Sequence, residues 1–137
     1  MTDDIVCSGD DLDRATAARI DASPNRLKPK GVTLRPPVAY LEMPGRMRDA
    51  KVVLTDSGGM QEETTALGVP CVALRENTER PITIEQGTNV VVGTDPARIR
   101  AVVDDIVKTG GKRGRRPELW EGHAAKRIAV VLKERFA

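Results

Sequence analysis

Apolar residues along this chain fall into two alternating rhythms. Short, unbroken, β-branched runs occur at Lys51–Thr55, Cys71–Leu74 and Val90–Val92, with a weaker one at Val32–Leu34. Between them lie segments with helical spacing or helix-end signals, at Tyr40–Asp49, Gly59–Leu67, Ile82–Gln86 and a longer stretch ending at Lys108. Runs that are apolar throughout predict strands covered on both faces, as in parallel sheets. The punctuation agrees. Gly68 stops the second helix, with Pro70 beyond it, and Thr94 or Asp95 caps the fourth, with Pro96 at its first position. In the first helix, Pro44 is compatible only with the opening turn. A last amphipathic helix is predicted for about Gly122–Arg135, with Ala125, Ile128, Ala129 and Leu132 on one side.

The predicted fold class is therefore α/β, a Rossmann-like parallel sheet flanked by helices. Residues 31–137 carry this pattern, and residues 1–30 read poorly. There, Ile5–Cys7 fits a short strand, and Asp10–Ala22 fits a helix whose apolar face, formed by Leu12, Ala15, Ala18 and Ile20, is ragged. Ligands of parallel α/β sheets bind at the carboxyl ends of the strands. Two polar clusters, Asp56–Gly59 and Arg75–Arg80, fall at such ends.

Composition narrows the function classes. The 137 residues carry 22 Lys and Arg against 20 Asp and Glu, a net charge of +2, without the strong basic face of a nucleic-acid binder. Tyr40, Trp120 and Phe136 are the only aromatic residues, too few for a base-stacking platform. No apolar run approaches the roughly 18 residues of a membrane span. The N-terminus lacks a signal-peptide pattern, so a soluble cytoplasmic protein is expected. Cys7 and Cys71 fit no metal or redox spacing, and Cys71 reads as a buried, inert thiol. Neither a metal nor a cofactor is expected.

Ser57-Gly58-Gly59 can cradle a phosphate. The glycines allow close backbone approach, Ser57 adds a hydroxyl, and the helix end adds partial positive charge. A plain strand-to-helix turn also uses Ser and Gly, and spacing alone does not separate the two readings. Glu62 and Glu63 follow in the first turns of that helix. They either complement the helix dipole or offer a carboxylate to the vicinal hydroxyls of a ribose. Arg75 and Arg80 flank the second cluster, where a guanidinium can hold a diphosphate in bidentate fashion or pair internally with Glu. The single histidine, His123, reads as a helix-terminal surface residue. Lys112–Arg116, with four positive charges in five residues, reads as a solvated loop.

Taken together, Leu54-Thr-Asp-Ser-Gly-Gly-x-Gln-Glu-Glu63, Leu67-Gly-Val-Pro70, Thr78-Glu-Arg-Pro81, Gly87-Thr88 and Val92-Gly-Thr-Asp95 resemble the non-hydrolysing UDP-N-acetylglucosamine 2-epimerases. Trp120-Glu-Gly-His-Ala-Ala-Lys-Arg-Ile128 is similar to the closing helix of a subgroup of them. The resemblance covers about residues 31–135. It implies the C-terminal half of a glycosyltransferase-B-type fold, in which two Rossmann-like halves enclose UDP. It also implies that Ser57, Gly58 and Gly59 lie at the phosphates, Glu63 at the ribose, Arg80 at the diphosphate or sugar, and Val38 and Met43 near the uracil.

The family's N-terminal half supplies acidic catalytic residues and much of the sugar pocket. A histidine is also expected near the start of the C-terminal half, where this chain carries Asp13, which cannot act as an imidazole donor. Arg80 is the only residue here for which a catalytic part is expected. The resemblance therefore implies a truncated or split UDP-binding half of a UDP-N-acetylglucosamine 2-epimerase, working with a separate N-terminal half or as a homo-oligomer. The alternative is a non-catalytic UDP-sugar-binding remnant or sensor. A UDP-sugar glycosyltransferase half is a third reading, against which the Thr78–Pro81 loop speaks.

Overall fold

The computed structural model describes the backbone of Ile5–Ser8 and residues 38–136, the latter with their side chains. The expected helix at Asp10–Ala22, the expected strand at Val32–Leu34 and Asp13 lie outside the described residues. Four strands, β1 (Ile5–Ser8), β2 (Val52–Thr55), β3 (Cys71–Ala73) and β4 (Asn89–Val91), form one sheet in the order β1-β2-β3-β4. All three pairings are parallel, with Val52 beside Ile5, Val53 beside Cys71 and Cys71 beside Asn89. The connections carry α1 (Glu42–Arg48), α2 (Gly58–Leu67) and α3 (Pro81–Glu85), and α4 (Pro96–Thr109) follows β4. A last helix, α5, spans Ala124–Phe136. The Rossmann-like, doubly covered parallel sheet is what the apolar runs led us to expect.

Why those runs are apolar throughout is visible in β2. Val53 faces a cluster with Met47 and Ala50 from the α1 end, Met60 of α2 and Val69. Its neighbours Val52 and Leu54 face the opposite cluster, built with Val72, Val92 and Ile106, against which Ile99, Val102 and Val103 of α4 pack. Side chains alternate across a strand, so covering both faces requires apolar residues at every position. Burying a Val or Ile side chain stabilises by about 1.5–3 kcal/mol. These two clusters therefore hold the sheet between α1 and α2 on one side and α4 on the other.

Helix ends follow the local chemistry. Pro44 sits in the opening turn of α1, where its missing N–H costs nothing. Gly68 ends α2 at φ 74°, and its N–H reaches the carbonyls of Thr64 and Thr65. Asp95 caps α4, its Oδ1 accepting from Ala97 N at 3.0 Å, with Pro96 at the first position. Boundaries shift from expectation by one or two residues. The fourth strand begins at Asn89 rather than Val90, because Asn89 is buried and hydrogen-bonded into α2.

The basic segment Lys112–Arg116 is the exposed loop that its charge suggests, and it is also tied to two helices. Arg116 Nη2 donates to Ala66 O at 3.1 Å near the end of α2, Lys112 Nζ donates to Ile84 O of α3, and Arg115 N donates to Gln86 O at 2.7 Å. These cations and amides satisfy carbonyls near helix C-termini, which attract positive charge. The backbone passes so close that a Cβ on Gly114 would fall 2.5 Å from Gly87 O. In contrast, α5 buries none of its residues. Ile128, Val131, Leu132 and Phe136 remain more than half exposed.

Two outcomes are expected. A Cβ at Gly87 would lie 2.5 Å from the backbone carbonyl oxygen of Thr83, which cannot swing aside. Gly87→Ala should lower stability by about 1–3 kcal/mol, read as a shift in the urea midpoint. Burial pushes the Cys71 thiol up to about 11, against a smaller opposing effect of its hydrogen bond with Thr64. In a Cys7→Ser background, native Cys71 should resist a maleimide at neutral pH and react promptly in urea. Its folded value lies above the ordinary 9.0, so its stabilising contribution is intact below pH 9 and is lost as pH rises through about 11.

Candidate functional site

The carboxyl ends of β2 and β3 meet at the start of α2. Ser57 is extended (φ −74°, ψ 128°) and caps the helix, its Oγ accepting from Met60 N at 3.5 Å. Its own N–H donates to Thr55 Oγ1 at 3.0 Å, which anchors the turn to β2. Gly58 and Gly59 are the first two helical residues. Neither adopts a positive φ, and an added Cβ would meet only ordinary contacts, at 4.0 Å to Arg80 Cγ and 3.8 Å to Ser57 Oγ. Glycine costs a helix up to about 1 kcal/mol relative to alanine. Neither conformation nor packing within the chain accounts for two glycines here. What they leave is bare backbone, with unpaired N–H groups and the positive helix end facing outward.

The loop after β3 closes over this helix end. Arg75 Nη1 reaches Asp56 O at 3.5 Å, and its Nη2 stands 3.6 Å from Glu79 Oε1. Thr78 Oγ1 donates to Gln61 Oε1 at 2.6 Å and accepts from Arg80 N at 3.0 Å. Arg80 O in turn accepts from Thr83 Oγ1 at 2.7 Å. Gln61 is fully buried, and its carbonyl accepts from Asn89 Nδ2 of β4 at 3.1 Å. This network sets Arg80 beside Gly58. Arg80 Nε lies 3.0 Å from Glu62 Oε1 without the alignment of a hydrogen bond. Both alternatives for the arginines thus have a counterpart: each has a carboxylate neighbour, and Arg80 still flanks the bare helix end.

Ser57, Gly58, Gly59 and Arg80 are therefore brought together. Glu63 stands one turn further along α2, on a pocket of about 310 Å³ that it lines with Glu62, Ala66 and Trp120. Met43 is half-buried against the cluster beneath α1 and α2, and Val38 is half-buried in the segment leading to α1. His123 is exposed at the start of α5, where its carbonyl accepts from Arg127 N at 3.1 Å. Among the described residues, no group of three His, Cys, Asp or Glu could hold a metal ion.

Two participants escape a reading of spacing. Gln61 follows the glycines like any helix residue, and only its burial reveals that it carries the loop. Trp120 stands far along the chain from Glu63, and nothing in the pattern places them on one pocket. Its status as the single tryptophan was the available signal.

A family model described as UDP-N-acetylglucosamine 2-epimerase matches residues 7–133. A UDP-N-acetylglucosamine 2-epimerase from Methanococcus maripaludis is 49% identical over 73 residues, covering 53% of this chain and 20% of that protein. One from Methanocaldococcus jannaschii is 39% identical over 103 residues, covering 75% of this chain and 28% of that protein. The crystal structure of the M. jannaschii enzyme in complex with UDP-GlcNAc and UDP superposes with a TM-score of 0.72 at 34% identity. It is matched over 89% of this chain and 34% of its own. This chain spans between a fifth and about a third of the length of these proteins.

The Gln61–Thr78 bond yields a direct test. Thr78→Val leaves Gln61 Oε1 buried without its donor, and an unsatisfied buried acceptor costs about 1–3 kcal/mol. Urea unfolding should register a loss of that size.

Proposed function

The chain belongs to the UDP-N-acetylglucosamine 2-epimerase family, and from that membership we propose that it is the UDP-binding part of an enzyme interconverting UDP-N-acetylglucosamine and its C2 epimer. The observation that carries this reading is the bare N-terminus of α2, with Ser57 as cap, two glycines that local structure does not explain, and Arg80 beside Gly58. In the proposed arrangement, the Ser57 hydroxyl, the backbone N–H groups of Gly58 and Gly59, and the Arg80 guanidinium receive the diphosphate. Glu63 accepts hydrogen bonds from the ribose hydroxyls. Val38 and Met43 border the uracil.

The proposed reaction proceeds by elimination and re-addition. Removal of the proton at C2 and cleavage of the anomeric C–O bond release UDP and leave a 2-acetamidoglucal. Re-addition of UDP with protonation on the opposite face yields the epimer. Negative charge builds on the departing diphosphate, and donors fixed at that position lower the barrier without reorganising. The residues that move the C2 proton belong, in this proposal, to the family's N-terminal half. That half, or a second copy of the chain, would complete the site. The exposed Ile128, Val131, Leu132 and Phe136 of α5 support such a covering body, because apolar side chains clustered on one helix face mark an interaction surface. A cytoplasmic location is part of the same proposal. Among the described residues, no helix is long and apolar enough to cross a membrane.

Calorimetric titration of the chain with UDP should show saturable binding. Absence of heat at millimolar UDP, with the fold intact, would sink the proposal. Arg80→Ala should weaken UDP affinity about ten- to a hundredfold, the equivalent of one charge-assisted contact, and Glu63→Ala should also weaken it. Unchanged affinity in both variants would show the ribose and diphosphate assignments to be wrong. Incubation with UDP-N-acetylglucosamine, with and without an N-terminal half, followed by NMR for the 2-epimer, separates an enzyme part from a binding module.

A further inference from the structure

The pocket beside α2 holds an uncommon pairing. Its wall is formed by Glu62, Glu63 and Ala66 on one side and by Trp120 on the other. Glu62 is engaged by Arg80 at 3.0 Å, whereas Glu63 has no hydrogen-bond or ion-pair partner among the described residues. The turn that carries Trp120 is tied down on either side of it. Arg116 Nη2 bonds to Ala66 O at 3.1 Å, Arg127 Nη2 bonds to Leu119 O at 2.7 Å, and Arg127 Nη1 pairs with Glu121. The backbone accepts a cost to make this turn. Leu119, at φ 69°, is the only non-glycine residue with positive φ among the described residues. Pro117 beneath it is buried.

Charge restricts what can lie here. No cation lines the pocket, and two carboxylates do, so a phosphate is repelled and a neutral ring carrying hydroxyl donors is admitted. The pocket is a shallow, open depression of about 310 Å³, against which one sugar ring can lie. A saturated ring presents C–H groups on its face and hydroxyls at its edge. An aromatic wall opposite a carboxylate matches both. Glu62 belongs to this pocket and also to the Arg80 pair, so a ring lying here is adjacent to whatever lies at Arg80.

We propose that Trp120 is a ligand-binding residue of this chain, forming the wall on which the pentose of the nucleoside diphosphate lies while Glu63 takes its hydroxyls. The inference rests on the UDP-binding reading above and adds a residue and a direction to it. The nucleotide runs from the helix end at Gly58 along the outer face of α2 toward the Pro117–Glu121 turn.

Trp120 is the sole tryptophan, so its emission reports on this wall alone. The full chain is titrated in parallel with UDP, UDP-N-acetylglucosamine and inorganic pyrophosphate, by calorimetry and by tryptophan fluorescence. UDP should change the emission saturably, at the concentration where heat is released, and pyrophosphate should leave it unchanged. Trp120→Ala should weaken UDP about tenfold, the order expected for an aromatic contact, while Trp120→Phe should retain most of the affinity. Heat from UDP without any change in emission, together with undiminished affinity in Trp120→Ala, would overturn this inference and leave the UDP-binding reading standing. An emission change with UDP-N-acetylglucosamine but not with UDP would give the pocket to the hexose and overturn the pentose assignment. Absence of UDP heat altogether would remove both.

Discussion

Gln61 is where the architecture of the site converges. Its side-chain oxygen accepts from Thr78 at 2.6 Å, and its carbonyl accepts from Asn89 at 3.1 Å, so one fully buried residue of α2 ties in both the loop after β3 and the start of β4. Burying an unpaired acceptor is costly, so the paired Oε1 of Gln61 dictates where Thr78 stands. Thr78 then positions the N–H of Arg80, and Arg80 reaches the helix end beside Gly58. The other ties of the loop to this region, Arg80 to Glu62 and Arg75 to Asp56 O, are made by exposed side chains, so this buried bond is the fixed one. The placement of the cation depends on a hydrogen bond between neutral groups.

Around this tie, the molecule separates stability from binding. The two apolar clusters lie on the faces of the sheet, away from the polar strand ends. The strand ends carry the polar groups, and the first turn of α2 departs from good helix-forming residues. Glycines at 58 and 59 weaken the helix slightly and leave its amides uncovered, which is useful only if an anion arrives. In the proposed reaction, this half receives the charge that develops on the leaving group. A rigid sheet edge suits that task, since a preorganised dipole stabilises charge without moving. Proton transfer demands acids and bases that face the sugar from elsewhere, consistent with an α5 whose apolar residues stand uncovered.

Much of this was legible in the residues. Val52–Thr55 and Cys71–Leu74 announced a doubly covered sheet, because no other environment favours apolar residues at consecutive strand positions. Gly68, Asp95 and Pro96 marked helix ends through backbone requirements that are local and therefore readable. Even the short Ile5–Cys7 run found its place as a strand beside β2. The boundary at Asn89 was not legible. A polar residue gives no apolar signal, and its burial depends on Gln61, a partner remote in the chain. The basic segment after Gly110 was legible as a solvated loop, whereas its anchorage was not. Two of its four cations, Lys112 and Arg116, also donate to carbonyls of α3 and α2, which sequence spacing does not bring near.

The sequence by itself determined the strand–turn–helix order, the family to which the chain belongs, and the cluster Ser57–Gly59, since these follow from backbone preferences and contiguous motifs. Tertiary structure alone decided which of two adjacent carboxylates is engaged. Both line the pocket walled by Trp120, but only Glu62 also meets Arg80. The reason is geometric: successive helical residues differ by about 100° in direction, so neighbours in sequence face different partners. Those partners arrive from the loop after β3 and from the turn before α5, at positions set by the packing of the whole sheet.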